Sequence, residues 1–384
     1  MFIDTNAFRA NRLFALMALS VTTAACDSAG VTDAPLCLSD EPIPLAQTPP
    51  LPGDACEEPP SPVSLGIETA ARAGQQQAAM TAAELLDPDT ITVVTCGTGS
   101  PFPSDRTQSC TAVFAGGQFL LFDAGDGAQA SMEDLMLPVV DLSAIFLTHF
   151  HSDHIADLGE VISRSWILGR TEVVPVYGGP TVERIVDGFN LVYSPDEVYR
   201  VAHHGEEVLP RETLAALARR IDEPGVDGTV VYEDGGVVVR AYGVDHSPVA
   251  PAIGYRVEFG GRSIGISGDT VDTPGLRALA NGVDVLVSEV MDKGFALDTA
   301  CAFERLGDER NARLLRDVRT YHVDVAELAQ LSADAGVDTL VLTHQVPSLP
   351  PSQAQSLFEG PIAAVFDGQI VVAKDGTRVT IDTQ

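Results

Sequence analysis

The segment Thr148-His149-Phe150-His151-Ser152-Asp153-His154 follows directly on the apolar run Leu142 to Leu147. Three histidines and a carboxylate at the end of a buried strand restrict what this chain can fold into. Polar groups taken out of water need partners, so the strand must end where those groups are used. On an extended chain His149 and His151 point the same way, because successive side chains alternate. Asp153 and His154 follow as the chain turns and can face a second position. Imidazole and carboxylate together suit zinc, and a bridging carboxylate lets two ions sit close enough to share one hydroxide.

Single residues far along the chain complete the pattern. His246 follows the strand-like run Val237 to Val244, and Pro248 fixes the turn after it. Asp269 lies just past the strand-like run Ser263 to Ser267, where a carboxylate is well placed to bridge two ions. His344 ends the run Thr339 to Leu342. The expected metal ligands are therefore His149, His151, Asp153, His154, His246, Asp269 and His344. His322 stands before an expected helix, Val325 to Ala335, and can protonate a leaving group. Glu289 ends the run Val283 to Val287 and reads either as the group that orients His322 or as a buried acceptor. Asp153, His322 and Glu289 form the expected catalytic set, with Asp123 supporting the cluster by hydrogen bonding. His203 and His204 read as exposed loop histidines.

The rest of the chain sets the frame. With 384 residues, 45% of them hydrophobic, it suits one large domain or two small ones. The net charge of −31 argues against nucleic acid as a partner, since such substrates need Lys/Arg tracks. Arg9 and Arg12 ahead of the apolar stretch Leu13 to Val21 look like an export signal. Thr23-Ala24-Ala25-Cys26 resembles a lipoprotein cleavage site with Cys26 as the lipid carrier. Three parts are expected: a signal peptide over 1–26, a Pro-rich tether and short helix over 27–88, and a hydrolase domain over 89–384. The product would be periplasmic, membrane-anchored through Cys26, or secreted, and disulfides would then be permitted. Cys37 with Cys56, and Cys96 with Cys110, are candidate pairs.

From about Thr90 strands and helices interleave, with an acidic segment of no clear period, Tyr193 to Val230, that reads as a flap or cap. Runs of strands broken by helices, in two halves, imply an α/β (α+β) fold with two sheets face to face and helices outside.

In this order, Gly97-Thr98-Gly99-Ser100, the cluster at His149 to His154, His246, Gly268-Asp269-Thr270, His322 and Thr343-His344 resemble the metallo-β-lactamase fold superfamily, and within it the ribonuclease Z branch. The stretches Val244 to Pro251 and Ser288 to Asp292 look like the arylsulfatase-type subgroup. The resemblance implies a four-layer αββα sandwich with the site at one edge. By analogy His149, His151 and His246 hold one Zn2+, Asp153, His154 and His344 the other, and Asp269 bridges; manganese or iron are the alternatives. His322 matches the catalytic histidine of the family, but Ser288 and Val323-Asp324 depart from the usual neighbours. No basic, glycine-rich arm of the kind that grips transfer RNA is present.

The expected function is that of an exported dinuclear zinc hydrolase of sulfate or phosphate esters, arylsulfatase-like, using a metal-bridging hydroxide. A phosphodiesterase or lactonase is the alternative; a tRNA 3′-processing endonuclease or an inactive binding protein fits less well. The expected partners are a small-molecule ester and a second copy in a homodimer.

Overall fold

The computed structural model describes residues 62–384 apart from Pro103, together with Ile43 and Leu45. The chain divides into two units, Met1–Leu45 and Ala46–Gln384, and every element below lies in the second. The signal segment, Cys26, most of the tether and the Cys37–Cys56 pair lie outside the described residues. No helix among those described is long and apolar enough to cross a membrane.

The first sheet holds β1 (Thr90–Gly97), β2 (Cys110–Ala115), β3 (Gln118–Phe122), β4 (Leu142–Phe146), β5 (Pro175–Gly178) and β6 (Leu217–Arg220). The second holds β7 (Thr229–Asp234), β8 (Val237–His246), β9 (Val249–Phe259), β10 (Arg262–Ile266), β11 (Val285–Met291), β12 (Thr339–Val346) and β13 (Gln369–Val372). The last strand, β14 (Thr377–Asp382), returns to pair antiparallel with β1 and makes each sheet seven-stranded. Both sheets mix directions: β1 to β3 are antiparallel and β3 to β6 parallel, and β10 to β13 repeat the parallel half.

The strands at the middle of each sheet are buried on both faces, and their sequences are accordingly near-continuous Val, Ile, Leu and Phe. One face of each sheet meets the other sheet. Phe122 and Phe146 stack there with centroids 5.0 Å apart, and the Tyr255 ring sits 5.5 Å from both. The outer face of the first sheet is covered by α2 (Ala128–Asp134), α4 (Leu158–Ile167) and α5 (Val182–His204), through Leu158, Val161 and Val182. Between α2 and α4 runs α3 (Ser152–Ile155). The second sheet is covered by α6 (Pro274–Ala280) and α9 (Val325–Ala335), through Leu276, Leu279, Leu328 and Leu331. This is the αββα sandwich that the sequence implied. The remaining α-helices are α1 (Pro62–Leu85), mostly exposed, the pair α7 (Lys293–Arg305) and α8 (Glu309–Val318), and the short α10 (Pro351–Ala354) and α11 (Gly360–Ala363). Cys96 and Cys110 are disulfide-bonded between β1 and β2.

The segment expected to be an irregular flap begins as helix and later supplies β6. α5 continues past Tyr193 to His204 in spite of Pro195, so His203 and His204 end a helix rather than lie in a loop. Tertiary contacts override the local signal. Asn190 exchanges two hydrogen bonds with the backbone of Ala216 (3.1 and 3.2 Å). The buried Arg170 guanidinium donates to the carbonyls of Thr213 (2.8 Å) and Leu214 (3.2 Å), and burial pulls its pKa down to about 10.

One buried bond ties the core to the edge that matters. Tyr255 Oη, on β9, donates to the carbonyl of Leu147 at 2.7 Å, where β4 gives way to the histidine cluster. Tyr255→Phe leaves that carbonyl buried and unpaired. Stability to urea should fall by about 1–3 kcal/mol, and an unchanged midpoint would contradict this role.

Candidate metal centre

Backbone geometry places each ligand. The chain leaves β4 at Phe146, runs extended through His151, and turns into α3, which carries Asp153 and His154. Asp123, just beyond β3, has φ +60° and turns its carboxylate back under this loop. Gly268 precedes Asp269 with φ +59°, and a Cβ there would lie 2.8 Å from the Cβ of Thr148. Glycine is required at that position by both sterics and backbone. On β12, Thr343 pairs with Glu289 and Gln345 with Val290, so His344 is the extra residue of a bulge. Its φ of +43° turns its ring out of the ladder and toward the cluster. A similar slip between Val244 and His246 re-aims the end of β8.

The seven expected ligands converge. Oδ2 of Asp269 lies 3.4 Å from Nε2 of His154, 3.5 Å from that of His344, 3.9 Å from that of His246 and 4.0 Å from that of His149. On one side, Nδ1 of His151 is 3.0 Å from Nε2 of His149 and 3.3 Å from Nε2 of His246. On the other, Oδ2 of Asp153 is 3.2 Å from Nε2 of His344 and 3.6 Å from Nε2 of His154. Two three-residue donor sets therefore flank one central carboxylate.

The remaining ring nitrogens are mostly held from behind. His154 Nδ1 donates to Asp123 Oδ2 at 2.7 Å, and Asp123 also accepts from the amide and hydroxyl of Thr148, both at 2.8 Å. His246 Nδ1 donates to the Tyr321 carbonyl at 2.8 Å, and His149 Nδ1 lies 3.1 Å from the Thr148 hydroxyl. With Nδ1 protonated, Nε2 of these rings turns a lone pair inward. Neither Thr148 nor the Tyr321 carbonyl was singled out from sequence. Thr148 carries a local signal, adjacency to the cluster; the carbonyl carries none.

The electrostatics fit a pair of divalent cations. Burial, together with the nearby His154, lowers the His149 pKa well below its usual value. Burial lowers His246 to about 4 although Asp269 opposes it. Burial also works against charge on His154 and His344, but Asp269 with Asp123 or Asp153 outweighs it, raising His154 well above normal and His344 to about 9. Asp269 is pushed up by burial and pulled further down by His344 and His154. This is a buried cluster short of positive charge. Asp269 Oδ1 and His154 Nε2 are buried without a hydrogen-bond partner among the described residues. The cluster is compatible with a dinuclear metal site.

Beside the cluster, His322 Nδ1 donates to Glu289 Oε2 at 2.7 Å, and Glu289 Oε1 accepts from the Thr270 amide at 2.7 Å. Glu289 is thus both a buried acceptor and the group that orients His322. Burial disfavours a charged His322, but Glu289 outweighs it and raises the pKa. His322 lines an open cavity of about 280 Å3 together with His151, Asp153, His246, Asp269 and His344. His203 and His204 take no part in the cluster.

Fold and cluster together define a metal-dependent hydrolase of the metallo-β-lactamase fold. A family model described as "Beta-lactamase superfamily domain" matches residues 119–345. Ribonuclease Z of Mycobacterium marinum is 38% identical over 295 residues, 76% of this chain and 99% of its own length. Ribonuclease Z of Mycobacterium bovis is 34% identical over 295 residues, covering 76% and 98%. Among solved structures, a metallo-beta-lactamase fold protein of Bacillus subtilis aligns with TM-score 0.54 at 19% identity, covering 76% of this chain and 100% of that one. Human tRNase Z, short form, aligns with TM-score 0.51 at 21% identity, covering 75% and 98%. These two structures bear on the fold alone. The chain belongs to the metallo-β-lactamase superfamily, in its ribonuclease Z-like branch.

Two expectations are corrected by these relatives. The arylsulfatase-like function is overturned by full-length relatives named ribonuclease Z. The stretches that suggested it serve geometry: Asp245 accepts from the amide and hydroxyl of Ser247 at the turn after His246, and Ser288 is buried in β11. The exclusion of nucleic acid in favour of a small-molecule ester falls with it. The net charge of −31 is a sum over the whole chain, whereas a substrate meets a local field. Lys293, Arg305, Arg310, Arg313, Arg316 and Arg319 lie on or beside α7 and α8, interleaved with Asp298, Glu304, Asp308, Glu309 and Asp317, so this stretch is near neutral within an acidic chain.

The support from Asp123 is open to measurement. Asp123→Ala should weaken metal affinity about 10–100-fold, read by competition with a chelator. An affinity equal to that of the unaltered chain would show that His154 needs no such anchor.

Proposed function

We propose that this chain is a dinuclear metal phosphodiesterase that cleaves RNA, an endonuclease of the ribonuclease Z type. The observation that carries this reading is identity of 34–38% to proteins named ribonuclease Z, along nearly their whole length. The paired donor sets around Asp269 support it from the side of chemistry. His149, His151 and His246 would hold one ion, Asp153, His154 and His344 the second, with Asp269 between them. All-nitrogen and oxygen donors with a shared carboxylate suit two Zn2+. Such ions supply charge stabilisation to phosphate oxygens and water of lowered pKa.

The residues of the chain do the rest. Asp123, Thr148 and the Tyr321 carbonyl hold the imidazoles in the tautomer that faces the cage. Glu289 holds His322 by Nδ1, which leaves Nε2 as the nitrogen open to substrate. An RNA sugar oxygen is a poor leaving group and needs a proton as it departs. Glu289 raises the His322 pKa, which favours the protonated imidazole that such a donor requires.

The direct test uses an RNA bearing a 3′ extension, incubated with the metal-loaded chain and its product ends mapped; chelation should abolish cleavage. His322→Ala should slow RNA cleavage by about 10²–10⁴-fold. The same variant should lose far less on bis(p-nitrophenyl) phosphate, whose phenolate leaves unaided. Equal losses on both substrates would remove His322 as the proton donor, and no cleavage of any RNA by the loaded chain would end the reading.

A further inference from the structure

The cavity before the cage has two unlike walls. One is the ligand cluster with His322. The other is apolar, formed by Phe102, Val318, Tyr321 and Val346. Val318 and Val346 are buried in a cluster with Met291 and Ala296, and Phe102 and Tyr321 pack half-buried against it. Hydrolysis at the metal side asks nothing of this second wall, so it needs another explanation.

The wall is braced. Phe102 lies in the loop between β1 and β2. Asp375 accepts from the amide of Thr98 (2.9 Å), the hydroxyl of Thr98 (2.7 Å) and the amide of Thr107 (2.8 Å), at the two ends of that loop. Arg106 donates to the hydroxyl of Thr98 (3.0 Å) and to the carbonyls of Ala373 (3.0 Å) and Leu349 (2.9 Å). Tyr321 is fixed from the cage side. Its carbonyl takes the His246 hydrogen bond, and its ring stands edge-on to His246, with centroids 5.0 Å apart, and 5.0 Å from the ring of His322.

We propose that Phe102 and Tyr321 form a nucleobase subsite, which stacks the base of a nucleotide adjoining the scissile phosphate. This rests on the RNA reading above. Unstacked bases of single strands are commonly held on aromatic side chains, and such stacking tolerates any base because every base has a π-face. Among the four wall side chains the Tyr321 hydroxyl is the one hydrogen-bonding group, so the subsite would sense the presence of a base more than its identity. At about 280 Å3 the open cavity has room for one nucleoside. That size suits an unpaired nucleotide at the cut.

The test compares two RNAs identical but for an abasic ribose next to the cleaved bond. The unaltered, metal-loaded chain should prefer the intact RNA by about tenfold in kcat/KM. Phe102→Leu and Tyr321→Leu keep apolar bulk, and with metal content matched they should lose most of that preference. A fluorescent adenine analogue at the same position should be quenched on binding to the unaltered chain, a reading that needs no variant. Cleavage of both RNAs at equal rates, a preference that survives both substitutions, or unchanged fluorescence would overturn the subsite and leave the nuclease reading standing. Failure to cleave either RNA would overturn both.

Discussion

The Asp269 carboxylate is the centre on which the site depends. Four imidazole nitrogens lie within 4.0 Å of one of its oxygens, while its other oxygen is buried and unpaired among the described residues. Without cations, that carboxylate draws protons onto His154, together with Asp123, and onto His344, together with Asp153. Buried charges persist only when paired, and a half-satisfied buried network is costly. A pair of divalent cations would satisfy it from within. The second set of contacts, Asp123 with Thr148 and His154, works from outside by fixing ring orientation.

No single sheet builds this arrangement. The first sheet delivers Asp123 and the cluster from His149 to His154; the second delivers His246, Asp269 and His344, each from the end of a strand. Distances in the cage are therefore set by how the two sheets face one another. The aromatic packing of Phe122, Phe146 and Tyr255, and the Tyr255 bond to Leu147, fix that relation immediately below the ligands. Bulged and left-handed residues at the rim, His344 among them, then aim individual side chains. Strain of this kind is kept where the surrounding structure determines it and where function uses it.

Net charge misled where local placement informs. An acidic chain argues against RNA only if its charge is evenly spread. Here the stretch from Lys293 to Arg319 carries six cationic side chains against five carboxylates, far less acidic than the chain as a whole, and the cage itself groups donors that could hold cations. The chemistry of the donors could not distinguish sulfur from phosphorus, because both esters present the same anionic oxygens. Similarity along the whole domain, rather than the ligands, separates those readings.

Which side chains gather in the cluster was legible because the chemistry leaves a dense local mark: histidines and aspartates at the ends of apolar runs. Strand and helix periodicity likewise gave the two-sheet layering, and α9 spans the expected Val325 to Ala335. The helix through Pro195 was not legible, since distant partners hold it: Ala216 bonds Asn190, and Glu160 accepts from the Tyr193 hydroxyl. Nor were the Tyr321 carbonyl or the apolar wall at Phe102, each of which joins residues remote in the chain. Sequence alone thus determined which side chains can bind cations and the period of the elements that carry them. Only the tertiary structure decided their distances, their tautomers and what faces them across the cavity, because those follow from the packing of two sheets and not from any one segment.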